Sequence, residues 1–548
     1  MSGRRLTWLL LGAIVALGFA LRVYGITDKG FFYYDEAYFL LESKTFTEGL
    51  AELRAAASGG LDLAAVKDRL IEKGCVFPPG TARPSFNLIV TISALIFGLT
   101  DYCGFLPSVL FSSLAAWLGF LLARRVWNER TGLAAAFLIA TSGFSIMYGR
   151  TGYGQTTAGF FLMAALYLYI RTLRPDVSGR AALAAGGALG FAVTCHYGVV
   201  LGAAALAAAE LYFLLTRTAG RRLKTSALFA AGAAAPLLLY EALFRAVKLA
   251  LGARLDGINY LTYFEQFAYV GGSAPRDLSP AALAVNDYLF YPRVLAAFDG
   301  PLLTALMLAA GFYALAKLFK RRTPAELVLF SQSYLMLAFW ILNPGAVKGA
   351  RILLIFYPLL LVFLARAFTA ALGAVKAGER AHAALLAAAL LATAAANAGT
   401  VASVITSRSN FRDAAEELKA RGVNDAAVFI NWPIWQFYMG HKLWANLDRI
   451  TDEKSFLDYT SKKKIDHLIL DFSTPLQDPS LAFLNRISAE KRPLLSWDTD
   501  TRSDILFRYE MGFLPQDLRR PRGDSPFHKI KCYRIADLGL GRRPRRGP

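Results

Sequence analysis

The sequence predicts an all-α polytopic membrane domain of about 11 spans, with 13 as the upper bound, followed by a C-terminal extracytoplasmic α/β domain. Three observations predict it. Apolar residues make up 55% of the 548-residue chain and charged residues only 18%, against about 25% charged in a soluble domain. Mean hydropathy is +0.39. Apolar runs of spanning length recur to residue 405 and then stop.

The first run, 6–25, follows Arg4 and Arg5 and imitates a signal peptide. Arg22-Val-Tyr-Gly after it offers no small-x-small cleavage site, so it reads as an uncleaved span. Further spans are expected at 105–123, 131–149, 155–171, 181–196, 198–216, 225–249, 298–317, 324–343, 350–371 and 382–405. The apolar stretch 85–100 is short for a span and reads as an interfacial helix. The Ala- and Gly-rich run 181–190 suits close helix packing.

The net charge of +20 invites a nucleic-acid partner. Its distribution argues against one. Six clusters, at Arg4/Arg5, Arg124–Arg130, Arg171–Arg180, Arg217–Lys224, Lys317–Arg322 and Lys376/Arg380, hold 18 basic residues beside Glu129, Asp176 and Glu379. With 85–100 kept out of the span count, all six fall on one side, which the positive-inside trend makes cytoplasmic. The N-terminus is then inside and the C-terminus outside, with outer loops at 26–104 and 250–297. The expected setting is a bacterial inner membrane. The expected domains are 1–405, 406–540 and a basic tail, 541–548.

After 405, charged residues become frequent. Strand patterns at Ala427–Asn431, His467–Phe472, Ile505–Tyr509 and Ile530–Ile535 alternate with helical patterns at Phe411–Arg421, Asp452–Lys464 and Leu481–Glu490. The aromatics Trp432, Trp435, Phe437, Tyr438 and Trp444 read better as core than as a sugar-stacking face. No CxxC, HExxH or GxxxxGK[ST] occurs, which removes zinc-finger, zincin and P-loop readings.

Candidate chemistry gathers on the outer side. Phe31-Phe-Tyr-Tyr-Asp-Glu-Ala-Tyr-Phe39 sets Asp35 and Glu36 among aromatics just after the first span, where an acid can act as a base or a metal ligand. Arg83 precedes the interfacial helix. Lys348 and Arg351 lie in a short outer loop, against the positive-inside trend, and suit a phosphate clamp. His196 and Tyr197 fall between two spans and can hydrogen-bond a headgroup. Arg150 and Gln155 lie on the same side.

These motifs together resemble the GT-C glycosyltransferases, in the branch of protein O-mannosyltransferases and the lipid A aminoarabinose transferase. The resemblance covers about 1–405 and implies transfer of a sugar from a polyprenyl-phosphate carrier, on the outer face and with inversion. Asp35 matches the family's catalytic acid, as general base or divalent-metal ligand, and Glu36 matches its second acid. Arg83 matches the Lys or His before Pro near the lipid phosphate. Arg351 matches the Arg of the late R…YP motif, with Lys348 near it. Gln155 stands where the family commonly has an acid, which puts a Mg, Mn or Zn ion in doubt. Partners would be the lipid-linked donor, membrane lipid and an acceptor that is lipid, glycan or protein.

Two other classes fit the spans: a secondary transporter or lipid flippase, and a non-catalytic GT-C-like protein. A transporter is expected to show repeated halves and mid-bilayer charge; here the interesting charges sit at one interface. Cys75 and Cys103 both fall outside, where a disulfide between them is permitted.

Overall fold

The computed structural model describes residues 3–59, 68, 83–173, 179–216, 223–252, 260–272, 286–320, 323–343, 349–375, 378–423, 425–428, 432–440, 450, 452–471, 482–498 and 529–540. Lys348, Cys75, the strand pattern 505–509, Trp444 and the basic tail lie outside them. The chain divides into two compact units: Met1–Tyr24 with Glu42–Ile405, and Gly25–Leu41 with Thr406–Pro548.

The first unit is helical among the described residues. Helix α1 is Gly3–Val23 and α2 is Tyr34–Gly59, whose first turns are counted with the second unit. Then follow α3 (Pro84–Phe97), α4 (Asp101–Val126), α5 (Glu129–Thr141), α6 (Gly143–Gly149), α7 (Gly154–Arg171), α8 (Gly179–Cys195), α9 (Val200–Leu215) and α10 (Leu223–Leu251). Helices α11 (Tyr263–Gly272), α12 (Phe290–Asp299), α13 (Pro301–Lys320), α14 (Pro324–Leu342), α15 (Tyr357–Gly373) and α16 (Glu379–Thr406) complete it.

Every expected span is helical at its core, yet among the described residues seven helices are long and apolar enough to cross a bilayer. The eighth is the pair α5 and α6, bent by 58°. The difference has local causes. Ser142 breaks the segment 131–149: its extended backbone ends α5, and its Oγ accepts from Ser145 N at 3.1 Å to start α6. Asp299 completes that start, accepting from Gly143 N at 2.7 Å, from Ser142 Oγ at 3.2 Å and from the Tyr357 hydroxyl. Elsewhere α8 and α15 have 17 residues each, and α15 follows a 3-10 stretch, Ala350–Ile355. The stretch 85–100 folds as α3, with Pro84 in its first turn, where a missing N–H costs nothing.

Outward helix faces are apolar. Leu215, Leu223, Leu249, Leu302, Phe312 and Phe319 are all exposed. Water would penalise so much bare apolar surface; lipid does not. Inside, small residues let backbones approach. A Cβ on Gly186 would overlap the carbonyl oxygen of Phe229, and one on Gly190 that of Ala233, so these two glycines seat α8 directly on α10. Cys103 is a buried free thiol in α4, while Cys75, the partner a disulfide would need, lies outside the described residues.

The second unit is built around three short strands, β1 (His467–Leu470), β2 (Leu495–Asp498) and β3 (Lys529–Arg534), in the order β1-β3-β2. Both pairings are antiparallel, with Ile469 opposite Cys532 and Trp497 opposite Ile530. A single parallel bridge joins Ala427 to Leu468. Helices α17 (Phe411–Ala420), α18 (Trp432–Met439), α19 (Glu453–Lys463) and α20 (Ala482–Glu490) accompany them. Helix α19 begins at a capping box, Asp452 with Ser455, and stops at Lys464 in the left-handed region. Its core joins Phe456, Leu468, Leu470, Phe483, Leu484, Ile487 and Tyr533. Trp435 is fully buried, packs edge-on against Phe411 at 5.2 Å and donates to Asp471 at 3.1 Å, so it is core.

The start of the first outer loop belongs to this unit. Ser409 N donates to Lys29 O at 2.9 Å. Gly30 has φ +67°, and a Cβ there would overlap Ser409 Oγ. Phe31 packs on Phe437 at 5.1 Å and on Tyr438 at 5.4 Å.

Replacing Gly190 by Leu should destabilise the protein by about 1–3 kcal/mol or more through overpacking against α10. A lower thermal midpoint in detergent checks this. Gly187→Leu, where a Cβ meets nothing within 4 Å, should have a much smaller effect.

Candidate functional site

The acid motif opens α2. Glu36 is its third residue and reaches back over the helix start: Oε2 accepts from Phe32 N at 2.8 Å and Tyr33 N at 3.1 Å. These are amides that a helix N-terminus leaves without partners. Oε1 accepts from Lys29 Nζ at 2.9 Å, and both side chains are buried. Lys29 Nζ also stands 5.1 Å from the Phe32 ring centroid. Glu36 is thus committed to capping and to its ion pair. Asp35, one residue earlier, is half-buried in the first helical turn, where the helix dipole favours a carboxylate. Tyr34 and Tyr38 stack at 5.6 Å, one turn apart. Sequence reasoning singled out both acids but missed Lys29, whose signal is its place seven residues before Glu36.

The cationic residues lie in the first unit and come together there. Arg83 immediately precedes α3 and is buried, with its guanidinium carbon 5.4 Å from the Tyr197 ring centroid. Tyr197 stacks on His196 at 4.5 Å. Arg351 lies in the 3-10 stretch before α15, its guanidinium 5.3 Å from the ring of Tyr153. Tyr153 immediately precedes α7 and is fully buried. Such cation–ring contacts are worth about 0.5–2 kcal/mol, more when dry. Sequence reasoning missed Tyr153, whose partner is remote in the chain.

Close backbone approach brings these segments together. A Cβ on Gly154 would stand 2.9 Å from Cys195 O and 3.1 Å from Phe86 Cγ. One on Gly198 would stand 2.9 Å from Ile355 Cδ1. Ser85 and Thr194 share a 2.7 Å hydrogen bond between their hydroxyls, and Ser85 donates to Tyr240 OH at 3.1 Å. Gln155, in the first turn of α7, is 1% exposed and its Oε1 has no hydrogen-bond partner.

His196 sits in the turn between α8 and α9. Its Nδ1 accepts from Gly198 N at 3.0 Å. A neutral ring that accepts at Nδ1 carries its proton on Nε2. That Nε2 is buried without a hydrogen-bond partner. Burial first, then the Arg83 and Arg351 cations, hold the pKa of His196 well below the ordinary histidine value. At neutral pH it is therefore an uncharged donor within electrostatic reach of two guanidiniums.

This arrangement suits an anion. Two guanidiniums repel a divalent ion, and among the described residues no group of three His, Cys, Asp or Glu could hold a metal. The Gln155 oxygen alone is a weak ligand.

Comparison with known proteins bears on this arrangement. Residues 79–242, which include Arg83, His196 and Tyr197, match the family described as dolichyl-phosphate-mannose-protein mannosyltransferase. No curated protein matches the chain in sequence. ArnT from Cupriavidus metallidurans bound to undecaprenyl phosphate superposes with TM-score 0.57 at 12% identity, covering 99% of this chain and 100% of that one. The archaeal oligosaccharyltransferase AglB from Archaeoglobus fulgidus, in complex with an inhibitory peptide and a dolichol-phosphate, gives TM-score 0.56 at 14% identity, covering 88% and 71%. The chain is a membrane protein of GT-C fold. An AglB structure in complex with zinc and sulfate gives TM-score 0.54 at 14% identity, covering 88% and 70%. The candidate residues fall in separate units: Arg83, Gln155, His196, Tyr197 and Arg351 in the first, Asp35 and Glu36 in the second.

The depressed pKa has a consequence for stability. Below about pH 6.5 an unfolded His196 takes up a proton that the folded ring resists, so stability falls as pH falls from there. Between pH 7 and pH 5 the thermal midpoint of the wild type should drop further than that of His196→Gln. Parallel curves for the two proteins would refute the assignment.

Proposed function

We propose that the protein transfers a sugar from a polyprenyl-phosphate carrier to a hydroxyl- or amino-bearing acceptor, on the outer face of a bacterial inner membrane. The carrying observation is the neutral, proton-donating His196 within electrostatic reach of two ring-supported guanidiniums, Arg83 and Arg351. That set matches a phosphate monoanion or dianion in shape and charge. The titles of the ArnT and AglB structures name undecaprenyl phosphate and dolichol-phosphate as bound lipids, which supports the same ligand class.

The chemistry follows from the parts. Arg83 and Arg351 hold the lipid phosphate, joined by Lys348 in its short loop. Asp35 takes the proton from the acceptor as it attacks the anomeric carbon. The bond from that carbon to the phosphate oxygen breaks, and its electron pair leaves with the phosphate. Charge grows on that oxygen in the transition state, where the guanidiniums and the His196 Nε2–H oppose it. A single displacement inverts the anomeric centre. Glu36 acts by holding the first turn that carries Asp35. Tyr197 is the platform for Arg83, and Gln155 offers an acceptor for a sugar hydroxyl.

Deletion of the gene, with mass spectrometry of lipids, glycans and surface proteins, identifies sugar and acceptor as the missing product. In the deletion strain Asp35→Asn should restore at most about one-hundredth of the product, while purified protein still binds undecaprenyl phosphate. Arg351→Ala should weaken that binding roughly tenfold or more, the worth of a charge-assisted hydrogen bond. Full product with Asp35→Asn would falsify the role of the acid.

A further inference from the structure

Away from the cluster around His196, the first unit holds two further half-buried cations, Lys317 near the end of α13 and Arg366 in α15. Among the described residues neither cationic head takes part in a hydrogen bond or an ion pair. The buried Nε of Arg366 has no acceptor. Each rests instead on a ring. Lys317 Nζ is 5.1 Å from the ring centroid of Tyr313, and the Arg366 guanidinium carbon is 5.9 Å from that of Trp127. A ring face steadies a cation without cancelling its charge.

Lys317, Arg366 and their rings line one cleft with Glu326 and Phe363. Its acid is engaged by neutral groups. Glu326 accepts from Trp127 Nε1 and, at 2.7 Å, from Thr323 Oγ1, while Thr323 caps the start of α14. Glu129 and Glu379, the described acids of the basic clusters, stand 3.8 Å from Arg124 and 3.2 Å from Arg130. The cleft thus carries two cations and one acid that pairs with neither. It lies where α4 and α13 end and α14 begins. Arg366 is about 14 Å along α15 from Tyr357, the end nearest Arg351. Tryptophan and tyrosine at helix ends mark headgroup depth in a membrane protein. On α13, Phe312, Leu315 and Phe319 are exposed.

We propose that this cleft binds an anionic phospholipid, with the headgroup phosphate on Arg366 and Lys317 and the acyl chains along the exposed side chains of α13. A planar guanidinium meets two phosphate oxygens with paired N–H donors, and the ammonium supplies a second point of charge. Cationic clefts between membrane helices suit such headgroups. Bare apolar side chains on the helix that carries Lys317 favour lipid over free phosphate, since an amphipathic ligand covers both. A zwitterionic lipid is a poorer match, because its ammonium brings a third cation to the cleft. The site is separate from the transfer chemistry above and does not depend on it.

The test uses the full chain in detergent, titrated with phosphatidylglycerol, phosphatidylcholine or inorganic phosphate while the thermal midpoint is followed. Phosphatidylglycerol should raise the midpoint saturably; the other two should not. Arg366→Gln should weaken the apparent affinity for phosphatidylglycerol roughly tenfold or more, the worth of a charge-assisted hydrogen bond. Lys317→Gln should weaken it about threefold. Glu326→Gln removes the negative charge from the cleft and keeps an oxygen for the Trp127 indole. It should tighten binding about twofold or more, a gain that misfolding does not produce. Equal stabilisation by phosphatidylcholine or by inorganic phosphate overturns the proposal. So does unchanged affinity in Arg366→Gln, or in Lys317→Gln where Arg366→Gln does not fold, and so does a loss of affinity in Glu326→Gln.

Discussion

A guanidinium removed from water must be answered inside the protein, and in the first unit main-chain carbonyls and ring faces supply part of that answer. Arg22 and Arg150 meet main-chain carbonyls; Arg83 and Arg351 rest on the rings of Tyr197 and Tyr153. A carboxylate partner would cancel the charge. A carbonyl or a ring face lowers the cost of burial while leaving the net positive charge in place. Burial, with the Arg83 and Arg351 cations in reach, holds the pKa of His196 well below the ordinary histidine value.

The adjacent acids meet different environments within one turn of helix. Asp35 and Glu36 differ by about 100° around the axis. That rotation sends Glu36 inward, onto Lys29 and the amides of Phe32 and Tyr33, and leaves Asp35 partly open. Lys29 neutralises Glu36, so the charge beside Asp35 is already balanced within the motif.

Much of the fold was legible because lipid imposes a simple rule on sequence. Runs of apolar residues become helices, and the ends of 411–420, 453–463 and 482–490 follow from caps and polar breaks. Span length was less legible, because the bend at Ser142 depends on Asp299, which is remote in sequence. Strand β2 was missed because Leu495–Asp498 has little pattern of its own and is defined by pairing with β3. The candidate site divides in the same way. Asp35, Arg83, His196 and Arg351 stood out as charge or polarity in unexpected places. Tyr153, Lys29 and the carbonyl acceptors of Arg150 did not, since a ring, a loop lysine and a backbone oxygen become meaningful only through their partners.

The tautomer of His196 gives the cluster its chemical logic. On the proposed reading, the guanidiniums would bind a lipid phosphate about equally before and after the sugar leaves, and equal binding does not lower a barrier. A protonated His196 would deepen that uniform hold. A neutral Nε2–H adds little to a phosphate whose charge is already matched. It gains strength as charge accumulates on the departing oxygen, because a hydrogen bond to a charged acceptor is roughly twice as strong as one to a neutral acceptor. The Gly198 amide, by occupying Nδ1, keeps the proton on the side where that increment can be used.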